Sequence, residues 1–161
     1  MDSVGKLHKI TDGGLSPREE AFTKICQARS VAKLEMPTAL GACSVRGLHT
    51  THVTKMKTDR NWTANQQLFS HYHFVLCFEN VDVPFYITEK IFIAFQSGAI
   101  PIYWGTQDVI KVFNREAFIF WDPDHPELAL ERLAYLEANP DAYKEMQARP
   151  YLAHGAETVL E

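Results

Sequence analysis

At 161 residues, with 46% hydrophobic and 22% charged side chains, the chain has apolar material for one globular domain with a sizeable core and is short for two. A net charge of −4 and a pI near 6.0 leave no basic footprint for nucleic acid, so DNA or RNA is not an expected partner. No run approaches the ~20 apolar residues needed to cross a bilayer, and the first residues lack the apolar core of a signal peptide, so the chain reads as soluble.

Residues 1–17 carry turn signals and read as loop. Ser16 followed by Pro17, Glu19 and Glu20 is a helix start, with Ser16 as N-cap and Pro17 at the first helical position. Phe22, Ile25 and Cys26 form the apolar face of a helix reaching to about Ala28, and Arg18 lies in its first turn, as an anion contact or as a solvated arginine. Val31–Leu34 reads as a short strand and Pro37–His52 mainly as loop. His49-x-x-His52 has neither Cys nor carboxylate at offsets that would complete a metal site, and Lys55, Lys57 and Arg60 read as a solvated basic face. Asn61-Trp62-Thr63 matches the N-glycosylation pattern, which matters only in a secretory compartment. Gln66–His71 reads as a short helix, and His71 and His73 as solvent-edge histidines. Cys26, Cys43 and Cys77, odd in number and widely spaced, define neither a disulfide framework nor a metal site, and Cys77 reads as a small core hydrophobe.

The most informative stretch is Phe74–Gly105. Phe74–Phe78 is an apolar run of strand length that ends on the polar pair Glu79-Asn80. Beyond Pro84, apolar residues return at Ile87, Ile91, Ala94 and Phe95, one face of a helix with Thr88 as N-cap and Gly98 at its end. Ala99–Trp104 is the next strand, so the segment predicts a right-handed βαβ unit with parallel strands. Lys90 falls in the first turn of that helix, where unpaired N–H groups and the helix dipole favour an anion such as a phosphate. Glu89 can accept from sugar hydroxyls, and Asn80 and Tyr86 add polar contacts at the strand-end crevice where open parallel sheets bind ligands. The set suits a nucleotide-sugar diphosphate; a dipole-serving glutamate and a solvated lysine are the plainer alternative.

Further on, Val109, Ile110 and Phe113 have helical spacing and Phe118–Phe120 reads as a strand, giving a second crossover on the same sheet. Asp122-x-Asp124 is a carboxylate pair of the kind that holds a divalent metal. Asp124 with Pro126 and Glu127 is equally a capping-box start for a helix carrying Leu128, Leu130, Leu133 and Leu136, and that reading is preferred. Asn139-Pro140 breaks this helix, and Tyr143, Met146 and Tyr151 mark a last amphipathic segment. Residues 122–161 hold nine acids and three bases against eleven and thirteen in residues 1–121, so the half with Lys90 is the less acidic one. The fold expected is α/β, a Rossmann-like three-layer domain with a mostly parallel sheet.

Phe78-Glu79-Asn80, the spacer to Tyr86, Ile87-Thr88-Glu89-Lys90 and Gly98–Gly105 together resemble the signature of the α-1,3-fucosyltransferases of glycosyltransferase family 10. Phe113-Asn114 and Ala117–Ile119 continue the similarity; Arg18–Lys24 resembles the helix bearing the family's phosphate-binding arginine, and Cys43–Arg46 resembles a Gly-Ser-Val-Arg segment of bacterial members. The resemblance implies that residues 1–161 form the C-terminal, GDP-fucose-binding half of a B-architecture glycosyltransferase. It implies fucose transfer to an acceptor glycan hydroxyl with inversion, an α-1,3 linkage, no required cofactor and manganese as a possible activator. Lys90, Arg18 and Arg46 would then meet the phosphates and Glu89 the ribose or fucose hydroxyls. Asn80 and Tyr86 would shape the donor site, and Glu79 would either join it or orient its neighbours. The family's general base belongs to an N-terminal acceptor domain for which this chain has no room, so no catalytic base is assigned and a missing acceptor half is expected as a partner. A non-catalytic GDP-sugar-binding module is the alternative; a dinucleotide enzyme lacks support because no G-x-G-x-x-G follows a strand, and a purely structural domain leaves the polar set unexplained. By resemblance the location would be the Golgi membrane in a eukaryote and the cytoplasm or inner membrane in a bacterium.

Overall fold

A computed structural model describes residues 15–40, 53–54 and 62–154. Arg46, Cys43, His49-x-x-His52, the basic cluster Lys55, Lys57 and Arg60, and Asn61 of the sequon lie outside the described residues. The chain divides into two compact units, residues 10–65 and a larger one comprising residues 1–9 and 66–161.

In the smaller unit, helix α1 (Pro17–Val31) begins as its sequence dictates. Ser16 and Glu19 close a reciprocal capping box, with the Glu19 N–H on Ser16 Oγ at 3.3 Å and the Ser16 N–H on Glu19 Oε2 at 2.9 Å. Ala21, Phe22, Ile25 and Cys26 are its buried face. The expected strand Val31–Leu34 does not form, because α1 runs on to Val31 and then closes. Lys33 takes a left-handed conformation (φ 57°), its N–H reaches Ser30 O, and the Leu34 N–H reaches Arg29 O. The stretch read as loop contributes β1 (Ala39–Leu40), paired in parallel with β2 (Val53–Thr54).

Helix α2 (Trp62–Phe69) begins four residues earlier than its apolar pattern suggests. The larger unit is then organised on a parallel sheet of β3 (Phe74–Phe78), β4 (Ile100–Trp104) and β5 (Ile119–Phe120), in that order, with helix α3 (Glu89–Gln96) crossing from the first strand to the second. All five residues of central β4 are buried, as a continuous apolar strand covered on both faces must be. Pro101 fits there because β5 pairs with β4 only from Ile102 onward, so its missing N–H removes no ladder bond. The Gly98 end of α3 is a glycine closure (φ 82°), with the Gly98 N–H on Phe95 O and the Ala99 N–H on Ala94 O.

One sheet face, with Val75, Cys77 and Tyr103, packs against Ile91 and Ala94 of α3, Val109 of helix α4 (Val109–Val112), Phe113 and Phe118. Cys77 is 1% exposed and behaves as the core hydrophobe expected. On the other face Phe78 stacks on Trp104 and meets Trp121, and Phe74 sets its edge against Tyr143 of α6 (Pro140–Gln147). Helix α5 (Pro126–Ala138) packs on β5 and α6, with Ala129, Leu133 and Leu136 buried and Leu128 62% exposed. The helix start also differs. Asp124 is not the N-cap, because Asp122 Oδ1 takes its N–H (2.9 Å) in a side-chain turn, and His125, kept out of the helical region by Pro126, holds the cap position while Glu127 pairs with its ring. Tyr151 is not part of the last helix. It lies in a returning segment beside the isolated antiparallel bridge of Phe113 with Leu152, and its ring stacks on Phe95.

Because Ile91 is fully buried between α3 and the sheet, Ile91→Ala is expected to lower the unfolding free energy by about 2–5 kcal/mol with an unchanged denaturant slope, measured by urea titration.

Candidate functional site

The site is built where β3 and β4 end. The Glu79 N–H still reaches Trp104 O (2.9 Å), so the ladder continues one residue past β3 and delivers the Glu79 side chain beneath the start of α3. That side chain is fully buried. A buried carboxylate is tolerated only when donors surround it, and three do: Thr88 N–H to Oε1 at 2.7 Å, Thr88 Oγ1 to Oε2 at 2.7 Å and Lys90 Nζ to Oε2 at 3.1 Å. Thr88 therefore stands at the N-cap position as expected, yet its hydroxyl does not cap the helix; it serves Glu79. The geometry shows Glu79 holding its neighbours Thr88 and Lys90 from a side chain withdrawn from solvent.

Lys90 occupies the second position of α3, a place where a cation opposes the helix dipole. Glu79 offsets that penalty from below, and Asn80 Oδ1 accepts from the same ammonium at 3.4 Å. The Lys90 side chain remains 31% exposed, so its ammonium is anchored to a buried carboxylate and still open to an anion from the crevice. Asn80, Glu89 and Tyr86 are exposed around it. Five of the seven residues singled out in the sequence thus fall on one strand-end loop and helix start. Arg18 lies in the first turn of α1 in the other unit, and Arg46 is outside the described residues.

Three features were not anticipated. Gly105 ends β4 with φ 152°, and a Cβ there would stand 2.7 Å from the Tyr103 hydroxyl and 2.9 Å from Glu79 Cγ, so the close approach of these side chains requires glycine. Asp108 fixes the loop before α3: its carboxylate accepts the Phe85 N–H at 3.0 Å, the Thr106 hydroxyl at 3.1 Å and the Lys111 ammonium at 2.6 Å. Phe85, held by this bond at φ 61°, leaves its ring 74% exposed with Lys111 Nζ 5.0 Å from the ring centre. A Gly-Thr-x-Asp run directly after a strand was the available signal for the loop clamp. Lys111 first, and then the Phe85 N–H, hold the Asp108 carboxyl below the ordinary aspartate range. Among the described residues no group of three or more His, Cys, Asp or Glu side chains converges as a metal site. No helix among them is long and apolar enough to cross a membrane.

An open parallel α/β sheet with a helix crossing between its strands defines the class of Rossmann-like domains. Within that class the chain belongs to glycosyltransferase family 10 (fucosyltransferase), whose C-terminal profile matches residues 26–148. It is 41% identical over 81 residues to an α-(1,3)-fucosyltransferase of Helicobacter pylori, covering 50% of this chain and 17% of that protein. With an α-(1,4)-fucosyltransferase of Arabidopsis thaliana it shares 55% identity over 40 residues, 25% of this chain and 10% of the relative. A crystal structure of an α1,3-fucosyltransferase with GDP aligns at TM-score 0.61 and 29% identity over 93% of this chain and 43% of that one. One with GDP-fucose aligns at TM-score 0.56 over 84% and 37%. The chain thus spans less than a fifth of these curated relatives and less than half of the solved chains. Arg18 lies ahead of the family match.

Gly105→Ala is expected to lose on the order of 2–4 kcal/mol of stability from backbone strain and overpacking together, read by denaturant unfolding. The lowered Asp108 carboxyl stabilises the fold fully above the ordinary aspartate range near pH ~4, and that contribution is lost as pH falls through its native value. Asp108→Asn is therefore expected to be less stable than the parent chain at neutral pH, with the gap closing on acidification in a pH series of urea titrations.

Proposed function

We propose that this chain is the donor-binding part of a fucosyltransferase that takes GDP-fucose and passes fucose to an acceptor glycan hydroxyl with inversion, in an α-1,3 linkage. The observation that carries the reading is Lys90, an ammonium at the N-terminus of α3 that is anchored to buried Glu79 and open to solvent at the strand-end crevice. A departing diphosphate develops charge that positioned cations and helix N–H groups stabilise. Lys90 and the first turn of α3 would supply that charge here, with Arg18 and Arg46 as further phosphate contacts by family pattern. Glu89 would accept from sugar hydroxyls, while Asn80 and Tyr86 would border the donor. Glu79 would keep Lys90 aimed without touching the ligand. Transfer also needs a base for the acceptor hydroxyl, which the reading assigns to an acceptor domain outside these residues. Family membership supports the reading, and the ligands of the aligned crystal structures, GDP and GDP-fucose, belong to the same chemistry.

Calorimetric titration with GDP and with UDP tests this. GDP is expected to bind and UDP to fail, and Lys90→Ala is expected to weaken GDP at least tenfold, the effect of losing a charge-assisted phosphate contact of roughly 1.5–3 kcal/mol. Absence of GDP binding by the parent chain would sink the donor-site reading.

A further inference from the structure

Tyr103 stands in the middle of the central strand, 0% exposed, with its ring set against Phe118 and Phe120. Its hydroxyl is buried and has no hydrogen-bond partner among the described residues. An unpaired buried hydroxyl costs about 1–3 kcal/mol, a penalty that phenylalanine in the same place would avoid. The hydroxyl is not placed at random. It reaches over Gly105 into the gap that a Cβ would fill, and the Glu79 side chain borders the same gap from the other strand. Burial, and after it the neighbouring Glu79 charge, hold the phenol far above its ordinary pKa, so it stays protonated and can only donate toward that carboxylate.

We propose that Tyr103 is a positioning residue that holds a hydrogen bond in reserve for Glu79, making it when Lys90 turns from Glu79 to an anionic ligand. This rests on the reading of Lys90 as a phosphate contact. Glu79 accepts from Thr88 twice and from Lys90 once. Transfer of the ammonium to a phosphate would leave a buried carboxylate with Thr88 alone. The Tyr103 hydroxyl is the neighbouring donor with no bond to give up, and a small shift across the glycine gap brings it to the carboxylate. No proton changes owner, and the lysine is released at a lower net cost. The unpaired hydroxyl in the resting state is thus compensated in the bound one.

The test needs no ligand. Tyr103→Phe is made in the parent chain and in Lys90→Met, and the folding equilibrium constant is measured by urea titration. With Lys90 present the substitution is expected to raise it about fivefold or more, by relieving the unpaired hydroxyl; with Lys90 removed it is expected to lower it about tenfold or more, the worth of a hydrogen bond to a charged group. Equal effects in the two backgrounds would overturn the proposal, because a hydroxyl with a merely structural role is indifferent to Lys90. If Lys90→Met does not fold, Thr88→Val, which withdraws another donor from the same carboxylate, takes its place in the cycle. On the ligand side, Tyr103→Phe is expected to bind GDP about tenfold more weakly than the parent chain, and equal affinity would count against the reserve bond. A parent chain that does not bind GDP overturns the donor-site reading instead, and the ligand-free cycle still decides on Tyr103.

Discussion

A single buried charge governs this structure. The Glu79 carboxylate is withdrawn completely from water and survives there because the backbone and hydroxyl of Thr88 and the ammonium of Lys90 all point at it. Each of those donors belongs to the start of α3, so the same bonds that neutralise the carboxylate fix where the helix begins and where its lysine stands. A helix capped by its own N-cap side chain would be free to pivot on the preceding loop. This one is tied to the end of the neighbouring strand.

The rest of the larger unit keeps that arrangement rigid. Glu79 is delivered by a ladder bond to Trp104, the helix is seated by Ile91 and Ala94 against the sheet, and Gly105 lets two large side chains approach where any other residue would intrude. Asp108 holds the far side of the loop through Phe85. The cost of this construction is visible in the exposed, left-handed Phe85 and the unpaired Tyr103 hydroxyl. Both lie at the site rather than in the remote core, as expected where local preference yields to function.

The βαβ unit was legible because its signals are local and agree: an apolar run of strand length, a helical period and a glycine stop. The start of α1, with Ser16 as N-cap and Pro17 after it, was legible for the same reason. What could not be read depended on contacts across the fold. The strand expected at Val31–Leu34 was a helix end, because nothing in the order of residues announces that Lys33 will adopt a glycine-like conformation. Asp124 lost the cap of α5 to the competing turn made by Asp122. That Glu79, Asn80, Tyr86, Glu89 and Lys90 gather on one strand-end loop and helix start was readable from one motif, but the bonds among them were not. That Glu79 faces inward and Thr88 serves it follows from the pairing of β3 with β4, which no spacing reveals.

The returning segment has a mechanical meaning. After α6 the chain comes back beside α4, bonding Asn114 N–H to Tyr151 O and Ala153 N–H to Val112 O, and lays the Tyr151 ring on Phe92 and Phe95 of α3. The helix that presents Lys90 is therefore clasped between the sheet and the returning chain. Tension applied beyond residue 154 would enter the molecule through this clasp, on the outer face of that helix, before it reached the sheet. A tether, fusion or neighbouring subunit pulling from that side would be felt first at the ligand-facing helix.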